Sequence, residues 1–173
     1  MATCNSGVFY ARLNSYIKSG AIMKKYGNEI AAKARKQAEE AGNAMVSCVD
    51  QAISSSGLTG GAIAAIGDAS VDSISESARF ADSIKFKVGV SIGQQSRPSL
   101  DPGKYGSVND MAALFNNGYS AGGTVRGVWH GMVITSLPFR PPTYFAQHAV
   151  DAFNSQYGAA YNATAELTSD RFN

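Results

Sequence analysis

The chain has 173 residues, of which 45% are hydrophobic and 16% are charged. This composition has too much apolar content for a disordered chain and too little charge for a long solvated coil, so we expect one globular domain over residues 1–173. The 15 lysines and arginines exceed the 13 aspartates and glutamates by a net charge of only +2, which excludes the strongly basic composition of a dedicated nucleic-acid-binding domain.

No segment approaches the roughly 20 consecutive apolar residues that cross a bilayer, and the N-terminus shows no basic leader followed by an apolar core. We therefore predict no membrane association and a protein that is made and assembled in a cytoplasm. The two cysteines, Cys4 and Cys48, form neither a disulfide framework nor a metal-ligand spacing, so we predict reduced thiols.

Residues 1–22 are predicted to form an N-terminal arm that precedes a long helix. Between residues 23 and 53, apolar residues recur at steps of three or four, which is typical of an amphipathic helix. Its apolar face is mostly alanine, so a sheet or another subunit can approach it closely; the face comprises Tyr26, Ile30, Ala34, Ala38, Ala41, Met45, Val49 and Ala52. Serines and glycines then predict a long loop over residues 54–83 with at most one short helix, and a loop of this length suggests docking onto another subunit.

The clearest predicted strand covers residues 84–92, because apolar side chains alternate there without a break against Lys85, Lys87, Gly89 and Ser91. A loop over residues 93–107 follows it. Ser107 can then cap a short helix that ends near Asn117 and Gly118.

The last third of the chain predicts one more strand and one more helix. After a glycine-rich loop over residues 119–127, the strand covers residues 128–135 and can pair with the first one. The helix starts near Thr143, and its buried stripe comprises Phe145, Ala149, Phe153, Tyr157 and Ala160. Together the elements predict an α+β fold in which a small antiparallel sheet packs against the long N-terminal helix and the C-terminal helix, with long glycine-rich loops between them.

The residues that catalysis needs do not form a known motif. His130 lies in a predicted strand and His148 on the last helix, and neither stands in a Gly-x-Ser-x-Gly or His-Glu-x-x-His context. The glycines of residues 57–61 lack the lysine and hydroxyl residue that end a phosphate loop. Three carboxylates spaced by four residues would align on a helix but lack the EF-hand pattern; they are Asp68, Asp72 and Glu76. We predict no enzyme activity, no cofactor and no metal site, and a small enzyme or nucleic-acid-binding module is the alternative from another class.

Several aromatic residues fall in the second half of the chain, among them Trp129, Phe139, Tyr144 and Phe145. Because no lysines and arginines are interleaved with them, they are more typical of core or interface anchors than of platforms on which nucleic-acid bases stack. We assign them, together with Arg140, to an interface with a partner.

Three stretches carry a resemblance to a known family. The first is Leu-Thr-Gly at residues 58–60 after a long basic helix, with Asp-Ser-Ile-Lys-Phe-Lys-Val at 82–88 downstream. The second is Asn-Asp-Met-Ala-Ala-Leu-Phe-Asn-Asn-Gly at 109–118, and the third and most specific is Leu-Pro-Phe-Arg-Pro-Pro-Thr-Tyr-Phe at 137–145. In this order they resemble motifs of small head-to-tail joining, or tail-completion, proteins of long-tailed bacteriophages, in which the third motif opens the C-terminal helix.

The resemblance implies a virion structural protein of α+β fold that assembles in the host cytoplasm. It implies a homo-oligomer, a hexameric ring at the head–tail junction, with the capsid connector and tail proteins as neighbours around the DNA channel. A tail terminator or other tail-tube component is the alternative within the same class. In such a ring Lys85 and Lys87 would contact DNA weakly and without sequence preference.

Overall fold

In a computed structural model of the chain, the structure describes residues 13–18, 22–80, 83–92, 111–118, 127–129, 132–134, 140–168 and 172. The elements in chain order are β1 Leu13–Lys18, α1 Ile22–Ser55, α2 Gly60–Ile66, β2 Ala69–Arg79, β3 Ser83–Ile92, α3 Met111–Asn117, β4 Gly127–Trp129, β5 Met132–Ile134, α4 Phe145–Gln156 and α5 Gly158–Tyr161. The fold is α+β, with a long N-terminal helix, antiparallel strands and a C-terminal helix, as the sequence predicts.

A three-stranded antiparallel sheet with the order β1-β3-β2 forms the largest sheet of the described chain. The strand predicted over residues 84–92 is confirmed as its centre, β3. Leu13 of β1 lies opposite Val88 of β3, and Val71 of β2 lies opposite Val90 of β3. The pairing of β2 shifts register twice, between Val71 and Ser73 and between Glu76 and Ala78, so this edge strand is locally irregular.

Helix α1 covers the apolar face of the sheet. The alternating apolar residues of β3 are all buried, at 3% exposure or less; they are Ile84, Phe86, Val88, Val90 and Ile92. On α1 the predicted alanine face is buried as well, with Ala34, Ala38 and Ala41 fully inaccessible. A methyl group added at Gly42 would lie 3.0 Å from Val71 and 3.0 Å from Val88, so helix and sheet approach each other here as closely as a glycine allows.

The C-terminal helix packs against α1 beside the sheet. The buried face of α4 comprises Phe145, Ala146, Ala149 and Phe153, all fully inaccessible. The predicted stripe is thus confirmed at Phe145, Ala149 and Phe153. Its last position, Ala160 on α5, is exposed. The chain then folds back over α4, where Asn154 bonds both the N–H and the carbonyl oxygen of Ala165, at 2.8 and 3.0 Å. The buried Phe172 meets Phe145 edge to face at 6.3 Å.

The short helix predicted within residues 54–83 is confirmed as α2, whose first turn is capped by the hydroxyl of Thr59 accepting from the N–H of Ala62 at 3.3 Å. The prediction of a long loop over the rest of this segment is wrong, because the segment contains the whole of β2. Asp72 and Glu76, whose spacing would align them on a helix, lie on this strand. Serines at alternate positions give β2 little strand propensity of its own, and its pairing with β3 decides the outcome.

Two further predictions fail. The segment 1–22 is not only an arm, because residues 13–18 pair with β3 as strand β1. Residues 128–135 do not form one strand beside the first; β4 and β5 pair with each other, with Val128 opposite Val133, and both sides of β3 are occupied by β1 and β2. The predicted loop 93–107 and residues 119–126 of the next loop lie outside the described residues, and Gly127 opens β4.

Candidate functional site

A junction between α3 and the start of α4 centres on Asn116. This residue is fully buried, the only polar side chain that is so among the described residues. Its backbone oxygen accepts hydrogen bonds from the N–H groups of Thr143 and Tyr144 at 3.1 and 3.0 Å. Its Oδ1 accepts from the N–H of Ala146 at 2.9 Å, and the hydroxyl of Thr143 donates to the carbonyl oxygen of Phe115 at 2.7 Å.

Asn116 supplies the cap that α4 lacks locally. The first N–H groups of a helix have no partner within the helix, and an Asn, Asp, Ser or Thr just before the helix normally accepts from one of them. Here Tyr144 stands at that position and its side chain makes no such bond. The Oδ1 of Asn116, thirty residues earlier in the chain than Ala146, takes the role, so α3 fixes where α4 begins.

Gly118 allows the two segments to approach each other directly. Its φ of +70° is unfavourable for other residues, and an added Cβ would lie 2.6 Å from the nitrogen of Pro142 and 2.7 Å from the carbonyl oxygen of Arg140. Both neighbours are backbone atoms, which cannot rotate away. Glycine is therefore required at the point where α3 ends against residues 140–142.

The side chain of Arg140 is held over an aromatic ring. Its guanidinium carbon lies 5.0 Å from the centroid of Phe115, within the range of a cation–π contact. Phe115 itself is 5% exposed, so the ring is a fixed platform. The contact holds the positive charge of the half-buried Arg140, the first residue of the segment 140–144, over this ring.

A pocket of about 410 Å³ opens between the end of α1 and the segment 140–144. Arg140 and His148 bring two side chains that can carry positive charge, and serine and threonine residues add hydroxyl groups. Among the residues that line the pocket are Ser55, Ser56, Leu58, Arg140, Thr143 and His148. This set suits the binding of an anionic group through charge and hydrogen bonds; we call it the basic pocket.

The carboxyl group of Asp50 is near enough to that of Asp68 for the charge of Asp68 to act on it. Asp50 of α1 is an exposed residue, yet partial burial of its carboxyl group and the nearby charge of Asp68 both raise its pKa. Asp68 is exposed just before β2. We call these two residues the acidic pair.

The structure brings together only some of the residues that the sequence predicts for an interface. Arg140 and Tyr144 share one rigid segment, and Tyr144 is 50% exposed. The prediction that Phe145 lies at an interface is wrong, because this first residue of α4 is fully buried. It belongs to the face of the helix that packs into the core. Phe139 and the side chain of Trp129 lie outside the described residues.

Lys85 and Lys87 lie elsewhere, on β3. They alternate with buried residues and therefore belong to the face of the sheet opposite to α1. Lys87 is exposed and Lys85 is half-buried. The two lysines thus belong to a surface separate from the segment 140–144.

Two features of this junction are not predicted from the sequence. Asn117 and Gly118 indicate only the end of a helix, so the capping role of Asn116 has no signal in the sequence, and neither has the left-handed backbone of Tyr144, with φ of +51°. Phe80, 57% exposed, follows β2 and donates its N–H to the carbonyl oxygen of Ser83 at 2.8 Å. Nearby, a two-point ion pair with Arg79, at 2.7 and 2.8 Å, lowers the pKa of Glu76.

Cys48, the cysteine that the structure describes, is a buried free thiol, and burial raises its pKa. Within the described part of the chain, no three His, Cys, Asp or Glu side chains are grouped so as to hold a metal ion. None of the described helices combines the length and apolar character that crossing a membrane requires. Comparison with protein-family models, with curated proteins and with solved structures found no match to this chain.

Proposed function

We propose that this protein is a virion structural subunit that assembles into a ring at the head–tail junction of a tailed bacteriophage. The resemblance of three sequence stretches supplies the class of protein. The observation that carries the proposal is the rigid presentation of the segment 140–144 at the surface, because the residues that present it come from two of those three stretches.

The two stretches contact each other across the fold. Residues 111–118 of the second stretch bond residues 143–146 through Asn116 and Thr143, and Gly118 packs against residues 140–142. Short motifs far apart in the chain are expected to meet when they build one surface. The contact therefore supports a common role for both stretches.

The segment is held in a conformation that a free chain would avoid. A left-handed backbone at Tyr144 costs roughly 1–2 kcal/mol, and the hydrogen bonds of Asn116 offset it. The result is a half-exposed aromatic ring next to two exposed prolines, Pro141 and Pro142. Tyrosines held rigidly in this way serve as interface anchors, because little side-chain entropy is lost when a partner covers them.

The experiment compares two exposed aromatic residues. Tyr144→Ala removes the ring from the rigid segment, whereas Phe80→Ala removes a similarly exposed ring just after β2 and is the matched control. We expect both variants to keep the wild-type circular dichroism spectrum. In phage carrying each variant, Tyr144→Ala should lower the yield of joined particles by at least tenfold, roughly 1.4 kcal/mol of contact free energy, and electron microscopy should show separate heads and tails.

Wild-type yields of joined particles with Tyr144→Ala, or a loss no greater than with Phe80→Ala, would contradict the proposal. Electron microscopy of particles labelled on this subunit also separates the alternatives of the same class, because a tail terminator would remain on free tails. Hydrolytic turnover by a stable monomer that never enters particles would instead favour the small-enzyme alternative.

The proposed contact with DNA is tested on Lys87. It is exposed on the outer face of the sheet, and each lysine that neutralises a phosphate adds a salt-dependent, sequence-independent attraction. Lys87→Glu should shorten DNA retention in joined particles, more so in combination with Lys85→Glu. Unchanged DNA retention in the double variant would exclude these lysines from the channel.

A further inference from the structure

Arg140 brings to the basic pocket a positive charge that has no counter-ion. The side chain is half-buried, yet it forms no ion pair with any residue that the structure describes. Its position is fixed by the ring of Phe115, whose centroid lies 5.0 Å from the guanidinium carbon. A cation–π contact needs no hydrogen bond, so the N–H donors of the guanidinium remain for an acceptor. A partly buried charge without a counter-ion is unfavourable in the free chain, and it indicates an anionic ligand.

His148 strengthens the positive character of this side of the basic pocket. It reaches the pocket from the first half of α4, is exposed, and can carry a positive charge. No Asp or Glu is among the described residues that line the pocket. An anionic group entering there would meet donors from Arg140 and His148 without competition from a carboxylate of the chain.

The opposite wall, at the end of α1, offers acceptors instead. The last carbonyl oxygens of a helix have no partner within the helix and carry a partial negative charge, and α1 has no basic residue in its last turn. The hydroxyls of Ser55 and Ser56 donate their protons to the carbonyl oxygens of Gln51 and Ile53, at 2.8 and 2.5 Å. Their oxygens are therefore left to accept hydrogen bonds from a ligand.

The two walls together suit a ligand that carries an anionic group next to hydrogen-bond donors. An acidic residue in a peptide has this combination, because its carboxylate stands beside backbone N–H groups. The backbone of DNA carries acceptors only, and these would meet the acceptors at the end of α1. The volume of about 410 Å³ is typical of pockets that hold a small ligand. Leu58 and Pro141 also line the pocket and offer contacts for an apolar neighbour of the acidic residue.

We infer that the basic pocket binds an acidic peptide segment of a neighbouring protein. A carboxylate of that segment binds Arg140 and His148, and its backbone N–H groups donate to the oxygens at the end of α1. Residues 140–143 line the pocket, and the exposed Tyr144 follows them directly, so one partner can cover both. The inference rests on the proposed function and names the chemistry of the partner that covers the segment 140–144.

The test compares the binding of two peptides to the full-length chain by fluorescence anisotropy. Gly-Asp-Leu-Glu-Gly carries two carboxylates, and Gly-Asn-Leu-Gln-Gly replaces them with amides of the same shape; both have an amidated C-terminus and the same uncharged dye. We expect the acidic peptide to bind at least about tenfold more tightly, because only its carboxylates form charge-assisted hydrogen bonds with Arg140. Equal affinity of the two peptides, or no binding of the acidic one up to about 10 mM, would overturn the inference.

Variants of the chain assign the binding to the pocket. Arg140→Gln should weaken binding of the acidic peptide by at least about tenfold, and His148→Gln by a smaller factor. Arg35→Gln removes the same charge from an exposed position of α1 and is the matched control, with wild-type affinity expected. Because His148 is exposed, its variant keeps the test valid if circular dichroism shows that Arg140→Gln disturbs the fold. Wild-type affinity in both pocket variants would overturn the inference.

Competition experiments test the other occupants. Inorganic phosphate or a DNA duplex that displaces the labelled peptide at a lower concentration than the unlabelled acidic peptide does would overturn a peptide as the ligand. Analytical ultracentrifugation tests a second copy of the chain. Self-association of the wild-type chain that Arg140→Gln abolishes would assign the pocket to that second copy and overturn the neighbouring protein as its occupant.

Failure of this inference is distinguishable from failure of the proposed function. If Tyr144→Ala abolishes joined particles but the acidic peptide does not bind, the ligand of the pocket is overturned and the proposed function stands. If the acidic peptide binds through Arg140 but the protein is absent from particles, the proposed function is overturned and the ligand class stands.

Discussion

Asn116→Ala is the substitution that most directly tests how the segment 140–144 is held. It removes the Oδ1 that accepts from Ala146 at 2.9 Å and leaves a buried N–H without a partner, which costs about 1–3 kcal/mol. It also removes the Nδ2 donor to Asn117 at 2.8 Å, worth about 0.5–1 kcal/mol because Asn117 is exposed. The backbone bonds to Thr143 and Tyr144 persist, so we expect the free energy of unfolding to fall by about 2–3 kcal/mol.

Urea unfolding followed by circular dichroism measures this loss, and a thermal melt should show a fall in Tm of about 5–10 °C for a chain of this size. Asn28→Ala on α1 is the matched control, because Asn28 is exposed and its truncation should change stability by less than about 0.5 kcal/mol. If Asn116→Ala destabilises the chain no more than the control, Asn116 does not anchor the start of α4.

The other predictions concern three glycine positions and the acidic pair. Gly27→Ala has open space around it and should stabilise α1 by up to about 1 kcal/mol, whereas at Gly42 this gain is offset by overpacking of about 1–3 kcal/mol, so urea unfolding should rank the two in that order. Gly118→Ala combines a left-handed φ with contacts under 3.0 Å to backbone atoms and should lower stability by about 2–5 kcal/mol, and a stability within 1 kcal/mol of wild type would contradict that geometry. The folded pKa of Asp50 is raised above its ordinary value of 3.8, so the folded chain binds the extra proton and loses stability as pH rises through this range. Asp50→Asn should therefore raise Tm at neutral pH but not at pH 3, and the gain should shrink when Asp68→Asn is already present.

The parts of the fold that the sequence predicts are those where a local pattern and the tertiary environment agree. In β3 every second residue from Ile84 to Ile92 is apolar and all of these are buried. In α1 the apolar residues follow the helical period over its 34 residues. Both patterns are long enough to be unambiguous.

The strand β2 shows why other elements could not be predicted. Its sequence, Ala-Ser-Val-Asp-Ser-Ile-Ser-Glu-Ser-Ala-Arg, offers serines where a strand usually carries branched or aromatic side chains. Only the neighbouring β3 supplies the backbone partners that make it a strand. The sequence pattern within one segment does not show which other segment it will pair with.

The site was predictable only in part for the same reason. Arg140 and Tyr144 stand in a recognisable proline-rich stretch. Asn116 acts on Ala146 across thirty residues of chain, whereas the sequence around it indicates only that a helix ends at Asn117 and Gly118. The aromatic side chain of Phe145 suggests an interface residue, but its position within α4 buries it completely.

One unfavourable feature of the isolated chain lies in the segment 140–144. The left-handed backbone of Tyr144 follows directly on residues that line the basic pocket. This strain is reasonable if a partner gains from the exposed ring that the segment presents, because local strain in the free subunit then becomes a contact in the assembly.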